Sequence, residues 1–293
     1  MSELIAISSG ELSARINPLG AELWSLTDAD HREYMTDADP RFWTGHAPVL
    51  FPIVGMLNGG RYRLGHSEYA LPKHGFARTS RFTVVQAAPS EARFLLSDSA
   101  ATRQAYPFAF GLEIRFRVAG MALQVEAAVT NPGDAPLPFS FGFHPAFAWP
   151  LPGGAAKEAH EVIFDRPEPE PIRRIDPASA LLLREPQRTP VDGRVLRPRA
   201  ELFEADALIW DRLSSRSVRF GAEGGSWLDI AFPDCPYLGI WQKPGAPFLA
   251  IEPWHGLNDP EGFTGDFHDK PGVIMLPRGD SRRFRMDVTV RPG

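Results

Sequence analysis

The chain has 293 residues, 43% hydrophobic and 23% charged, with 36 acidic against 31 basic side chains and a net charge of −5. That is the composition of a globular protein long enough for a sizeable core, and its 26 glycines and 29 prolines exclude a coiled coil or helical bundle, which would not tolerate so many helix breakers. The acidic balance offers no field for a phosphate backbone, so no nucleic-acid partner is expected, and a lone cysteine, Cys235, excludes an intrachain disulfide, a thiolate zinc site and a CxxC redox pair.

The first twenty residues lack a basic stretch followed by a long apolar run, and no window approaches a membrane span. A cytoplasmic location with no membrane contact is the expectation. Two-residue alternation then recurs in short runs, the pattern of half-buried strands. In chain order these are Leu4–Ile7, Ser13–Ile16, Leu23–Thr27, Arg81–Val85 and Arg93–Ser97. The clearest case follows, with Leu112, Ile114, Phe116 and Val118 on one face, a turn at Ala119-Gly120, and Leu123, Val125, Ala127 and Val129 on the return. Residues 112–130 therefore read as a hairpin. Ser217–Phe220, Trp227–Ala231, Tyr237–Gln242 and Arg283–Val290 complete the series. Closely spaced strands almost end to end predict an all-β protein of large antiparallel sheets with few short helices.

One stretch departs from this pattern. Residues 167–198 hold seven prolines among mixed charges and read as a long surface loop, with one short element at Ala178–Leu183, inserted in a single domain spanning 1–293.

No G-x-S-x-G elbow, P-loop, HExxH or dinucleotide fingerprint occurs. Three other segments carry chemistry. In Leu71-Pro-Lys-His74-Gly-Phe-Ala-Arg78, an imidazole beside glycine is open to a ligand and an arginine fork suits hydroxyls or a phosphate; the plain alternative is an exposed turn histidine. In Phe139-Ser-Phe-Gly-Phe-His144-Pro-Ala-Phe147, three phenylalanines suggest an apolar pocket that lowers the imidazole pKa towards neutrality, and Pro145 ends the local strand. The alternative is a structural histidine in an aromatic core. In Phe248-Leu-Ala-Ile-Glu252-Pro-Trp-His-Gly256-Leu-Asn-Asp259, a carboxylate ends an apolar run, where burial without a partner is costly. Glu252 reads as a general base or a salt-bridged structural residue. Trp254 offers a flat face to a sugar, and His255 is incidental.

Taken together, HGFAR (74–78), FGFHPAF (141–147), IEPWxGxxD (251–259) and DKPGV (269–273), with INPLGAELWSL (16–26) and WxxxAPVLFPIVG (43–55), resemble the aldose 1-epimerase (galactose mutarotase-like) family, most closely its LacX-type branch, over nearly the whole chain. The resemblance implies a β-supersandwich fold and interconversion of α and β anomers of a free hexose, with no metal or cofactor. It implies His144 as the general acid to the ring oxygen and Glu252 as the general base to the C1 hydroxyl. His74 and Arg78 would bind sugar hydroxyls, with Arg61, Trp241, Trp254 and an aspartate, Asp206 or Asp211, as further binding residues. The partner would be a small-molecule sugar, and the protein a monomer or homodimer. Residues 150–200 match the pattern poorly, which leaves the substrate open. HGFAR is also close to the pattern of hexose-6-phosphate 1-epimerases, with Arg61, Arg63, Arg78 and Arg81 as possible phosphate ligands, and a non-catalytic sugar binder on the same scaffold is the other alternative. A glycoside hydrolase would need a second carboxylate flanking the bond.

Overall fold

A computed structural model describes residues 3–293. Nine strands form one antiparallel sheet in the order Val195–Leu196, Glu161–Phe164, Ser217–Gly221, Trp227–Ala231, Ser281–Arg291, Ala122–Thr130, Gly111–Ala119, Glu91–Ser97 and Thr83–Ala88. The expected hairpin lies at its centre, with Ala119 paired to Ala122 and Gly111 to Thr130. Its alternation works as the period-two argument requires: Leu112, Ile114, Phe116, Val118, Leu123, Val125, Ala127 and Val129 are all buried.

A second sheet carries the site. Its order is Leu208–Trp210, Tyr237–Trp241, Phe248–His255, Phe141–Phe143 and Val49–Leu50, and Ala146–Ala148 pairs with Phe248–His255 as well. The two sheets share one apolar core: Leu249 and Ile251 from the second meet Phe284, Met286 and Val288 from the first, and Phe141 stacks on Phe284 with ring centroids 4.9 Å apart. A three-stranded sheet of Ile5–Ser8, Leu12–Asn17 and Glu22–Asp28 packs into the same core. The fold is thus mostly β with large antiparallel sheets, as the alternation predicts. Among the described residues no helix is long and apolar enough to cross a membrane.

Periodicity reveals Tyr237–Trp241 but not the other strands of the second sheet, nor Glu161–Phe164 and Val195–Leu196 of the first. Val49–Leu50, Phe141–Phe143, Ala146–Ala148 and Leu208–Trp210 span two or three residues each, too few for alternation to register. Phe248–His255 is buried on both faces for seven of its eight residues, so it reads as a continuous apolar run. Glu252 therefore lies inside a strand and does not end a run.

The segment 167–198 is also not a surface loop. Ile172, Arg174, Ile175, Leu181 and Leu182 are buried, and isolated bridges join Arg173 to Ile209, Ile175 to Leu182 and Leu182 to Pro260. Residues 178–183 form the tip and return of a tight hairpin: the Asp176 carboxylate accepts from the Ala178 and Ser179 backbone N–H groups, and the Ala180 N–H closes onto the Asp176 carbonyl.

Candidate active site

Two proline-bearing stretches face each other in the second sheet. The register that pairs Gly142 with Trp254 and Ala146 with Ala250 puts His144 opposite Glu252. Pro145 and Pro253 have no N–H to give to the ladder, so regular pairing lapses between these two points, where the Ile251 N–H still donates to the Pro145 carbonyl at 3.1 Å, and resumes beyond them. Alternation along Phe248–His255 sends Leu249 and Ile251 into the main core and Glu252 and Trp254 to the other side, into a cavity of about 250 Å³. There Glu252 Oε2 lies 3.0 Å from His144 Nε2, with the two residues 2% and 7% exposed.

Burial governs both groups. Desolvation pushes the Glu252 carboxyl well above the ordinary carboxylate range, against the opposing fields of Lys73 and Arg78. It pulls the His144 imidazole down to about 3, with Arg78 and Lys73 adding to the shift, which is far below the near-neutral value that the phenylalanine context suggests. Those phenylalanines are not the cause, because Phe139, Phe141 and Phe143 all point into the main core. The rings beside His144 are Trp43, stacked with centroids 5.0 Å apart, and His74 and Trp241, both edge-on. Burial thus disfavours the charged form of each group, and because the two are in contact their titration belongs to the pair.

His74 is held by a reciprocal pair of hydrogen bonds. Its backbone N–H donates to the Gly55 carbonyl at 2.8 Å, and the Gly55 N–H donates to His74 Nδ1 at 3.0 Å. Desolvation keeps this imidazole neutral, so the tautomer that follows carries its proton on Nε2, a fixed donor for a hydroxyl. The next residue, Gly75, sits at φ +72°, where a Cβ would meet the Phe51 carbonyl oxygen at 2.2 Å. Arg78, on the single 3-10 turn Ala77–Thr79, lines the same cavity.

Trp254 lies flat across its sheet because both neighbouring strands carry glycine beneath it. A Cβ on Gly142 or on Gly239 would come within 2.6 Å of the indole. Gly142→Ala is expected to destabilise the protein by about 1–3 kcal/mol through overpacking and to shift tryptophan emission; urea unfolding followed by fluorescence measures both. An unchanged midpoint and spectrum would show that the indole is not clamped there.

Of the residues singled out in the sequence, His74, Arg78, His144, Asp206, Trp241, Glu252 and Trp254 converge on this cavity. Asp206, not Asp211, reaches it; Asp211 pairs with Arg173 at 3.9 Å. Arg61 does not reach it. It lines a separate cleft together with Arg63 and lies 4.0 Å from Glu68, while Arg81 borders a third depression, so the four arginines do not assemble around one phosphate. His255 turns away, with Nδ1 3.4 Å from the Gly272 carbonyl. Sequence reasoning missed Trp43, Lys73, Ile175, Ala207 and Asn258, which complete the lining. Trp43 opens the WxxxAPV motif, Asn258 precedes the last aspartate of IEPWxGxxD and Lys73 precedes His74 in the segment 71–78, so three of these lie within quoted stretches.

A family model described as aldose 1-epimerase matches residues 3–264. The chain belongs to the aldose 1-epimerase family. It is 32% identical over 296 residues to the plasmid-encoded protein LacX of Lactococcus lactis subsp. lactis, a match covering 98% of this chain and 99% of that one. Its fold closely follows a galactose mutarotase-like protein from Lactobacillus casei (TM-score 0.91, 30% identity, 99% of this chain and 100% of the other). A galactose mutarotase-related enzyme from Lactobacillus acidophilus is similar to the same degree (TM-score 0.90, 29% identity, covering 99% and 97%). The family thus places the chain among the carbohydrate epimerases, and the β-sheet architecture agrees with that membership.

Proposed function

We propose that the protein is an aldose 1-epimerase acting on a free hexose, with His144 and Glu252 as its acid and base. The observation that carries this reading is the apposition of His144 Nε2 and Glu252 Oε2 at 3.0 Å in a buried cavity. Two adjacent polar atoms match the two oxygens, O1 and O5, borne by a single anomeric carbon. Glu252 takes the proton of the C1 hydroxyl while His144 delivers one to O5. The C1–O5 bond breaks, the C1 hydroxyl becomes the aldehyde, C1 rotates about its bond to C2, and the same transfers reversed close the ring as the other anomer. Burial favours the resting proton on Glu252; its passage across the short contact to Nε2 generates the carboxylate and imidazolium that ring opening uses. Trp43 and Trp241 offer apolar faces to the sugar C–H groups, and His74 Nε2–H, Arg78, Asp206 and Asn258 offer donors and acceptors for hydroxyls. Arg61, Arg63 and Arg81 lie outside this cavity, which supports a neutral sugar over a phosphorylated one.

Polarimetry on freshly dissolved α-D-glucose and α-D-galactose tests the activity. Faster approach to equilibrium than in buffer supports it, and tight sugar binding by calorimetry without acceleration would replace the enzyme by a sugar-binding protein. The pH dependence tests the pair. With His144 lowered to about 3, the second proton binds only in strong acid, so kcat/KM should not fall between about pH 6.5 and 4. It should fall on the alkaline side, where Glu252, raised by burial, finally loses the shared proton. An acid limb centred near 6.5 would mean an ordinary histidine and would contradict the electrostatics described above.

A further inference from the structure

The motif INPLGAELWSL (16–26) contributes no residue to the cavity lining, yet it is bonded to both loops that flank His144. Along its strand Glu22–Asp28, Leu23 enters the main core while Glu22 and Trp24 share the opposite face. On that face one carboxylate oxygen, Glu22 Oε1, accepts from the backbone N–H groups of His46 at 2.6 Å and Ala47 at 3.0 Å. The Trp24 indole stacks on the His46 ring with centroids 4.0 Å apart; burial pulls that imidazole down to about 4, so it stacks as a neutral ring. The His46 carbonyl in turn accepts from the Ala146 N–H at 2.9 Å, which joins this loop to the segment carrying His144. On the other side, the Phe82 N–H donates to the Pro18 carbonyl at 2.9 Å and the Gly20 N–H to the Ser80 carbonyl at 2.8 Å, seating the turn that bears Arg78.

We propose that Glu22 and Trp24 are positioning residues, which together clamp the loop 43–47 so that Trp43 covers one face of His144. They act through Trp43, whose ring stacks on His144 with centroids 5.0 Å apart. Packing alone cannot replace the carboxylate, because two successive N–H groups on the buried residues His46 and Ala47 need an acceptor and one oxygen serves both. The path from clamp to ring is short. The Trp43 indole lies against Gly45, where a Cβ would come within 2.5 Å of it, so a shift of the segment 45–47 moves the ring. That cover matters because burial is what holds the His144 imidazole low. The other groups that face it are Glu252, His74, Lys73, Arg78 and Trp241. Lifting the indole admits water and lets His144 return towards its ordinary 6.5. This inference rests on the acid role proposed for His144 and adds what keeps that imidazole covered.

Two substitutions separate reach from charge. Glu22→Asp keeps the charge and withdraws it by one methylene from the His46 and Ala47 N–H groups. Glu22→Gln keeps the reach, with an amide oxygen as acceptor, and removes the charge. Each folded variant, checked by its thermal melt, is compared with wild type by polarimetry on glucose and by NMR titration of the His144 Cε1–H, assigned by its loss in His144→Asn. Glu22→Asp should lower kcat/KM by about tenfold to a hundredfold and move the His144 titration up towards 6.5, while Glu22→Gln stays close to wild type in both. Trp24→Leu leaves the carboxylate in place and should change both readouts in the same direction as Glu22→Asp, which keeps the test open if the aspartate variant does not fold. Loss of charge alone acts in the opposite sense, since it leaves Arg78 less compensated and Arg78 lowers His144. A glutamine variant as impaired as the aspartate one, or an unchanged His144 titration in folded Glu22→Asp or Trp24→Leu, would overturn the clamp. If wild type turns over no sugar, the catalytic reading fails separately and the His144 titration still decides the clamp.

Discussion

Replacing Glu252 with glutamine is expected to lower kcat by roughly 10²–10⁴-fold and to leave the fold at least as stable. Glutamine keeps the shape of the side chain and cannot exchange a proton with O1 or with His144 Nε2. Stability follows from the direction of the pKa shift. Burial raises the Glu252 carboxyl above its ordinary 4.5, so above that pH the unfolded chain ionises while the folded one still holds its proton. The glutamate then loses folding stability as pH rises towards its folded pKa, and glutamine does not. Glu252→Gln should therefore melt higher than wild type at neutral pH while being nearly inactive. His144→Asn should show a comparable loss of kcat, and the double variant scarcely more, because the two groups act as a unit. Polarimetry and melting curves on the three variants check this; wild-type kcat in either single variant would remove the pair from its role.

Lys270→Met should be the most damaging single change to stability, at about 3–5 kcal/mol. Lys270 is buried, and its ammonium donates to Asp259 Oδ1 at 2.6 Å and to the Leu257 carbonyl at 2.8 Å. The other carboxylate oxygen of Asp259 accepts from the Asn58 N–H at 2.8 Å, and the Asp259 backbone bonds to Met56 and Leu182. Asp259 thus gathers three segments through its carboxylate and backbone together, and removing the lysine leaves the carboxylate buried and unpaired. Desolvation already pulls the Lys270 pKa down, opposed by Asp259, so the pair's strength lies in its mutual contact. Lys270→Met combined with Asp259→Asn should recover part of the loss, since replacing both charges is milder than stranding one. Urea unfolding of the single and double variants measures both; a single variant within about 1 kcal/mol of wild type would show that the pair is not holding these segments.

What was legible in the sequence divides along physical lines. Most of the nine-stranded sheet could be read because its central strands are long and buried on one face, so alternation marks them; Glu161–Phe164 and Val195–Leu196, at its edge, were too short. In the sheet that holds the site only Tyr237–Trp241 could be read, because the other strands are either two or three residues long or apolar throughout. His144 and Glu252 stood out all the same, since a titratable group followed by proline inside an apolar context is conspicuous. Their partnership was not visible, because it depends on a register between segments more than a hundred residues apart. Trp43 and Ile175 were missed for the same reason: an aromatic or a β-branched residue carries no local sign that it lines a cavity and not the core. The prolines of 167–198 suggested a solvated loop, whereas Arg174 and Asp176 form the hydrogen bonds that fold it onto the site. Arg61 misled in the opposite sense, since a charged residue in a promising neighbourhood turned into another cleft.

The central claim is that His144 and Glu252 address the two oxygens of one anomeric carbon. A crystal structure of the protein with a bound hexose, with Glu252→Gln used to slow turnover, tests it most directly. The expected result places O5 within hydrogen-bond reach, about 2.6–3.2 Å, of His144 Nε2, and O1 within the same reach of the side chain at position 252. A sugar bound with C1 turned away from this pair, towards Lys73 or Asp206, would contradict the account.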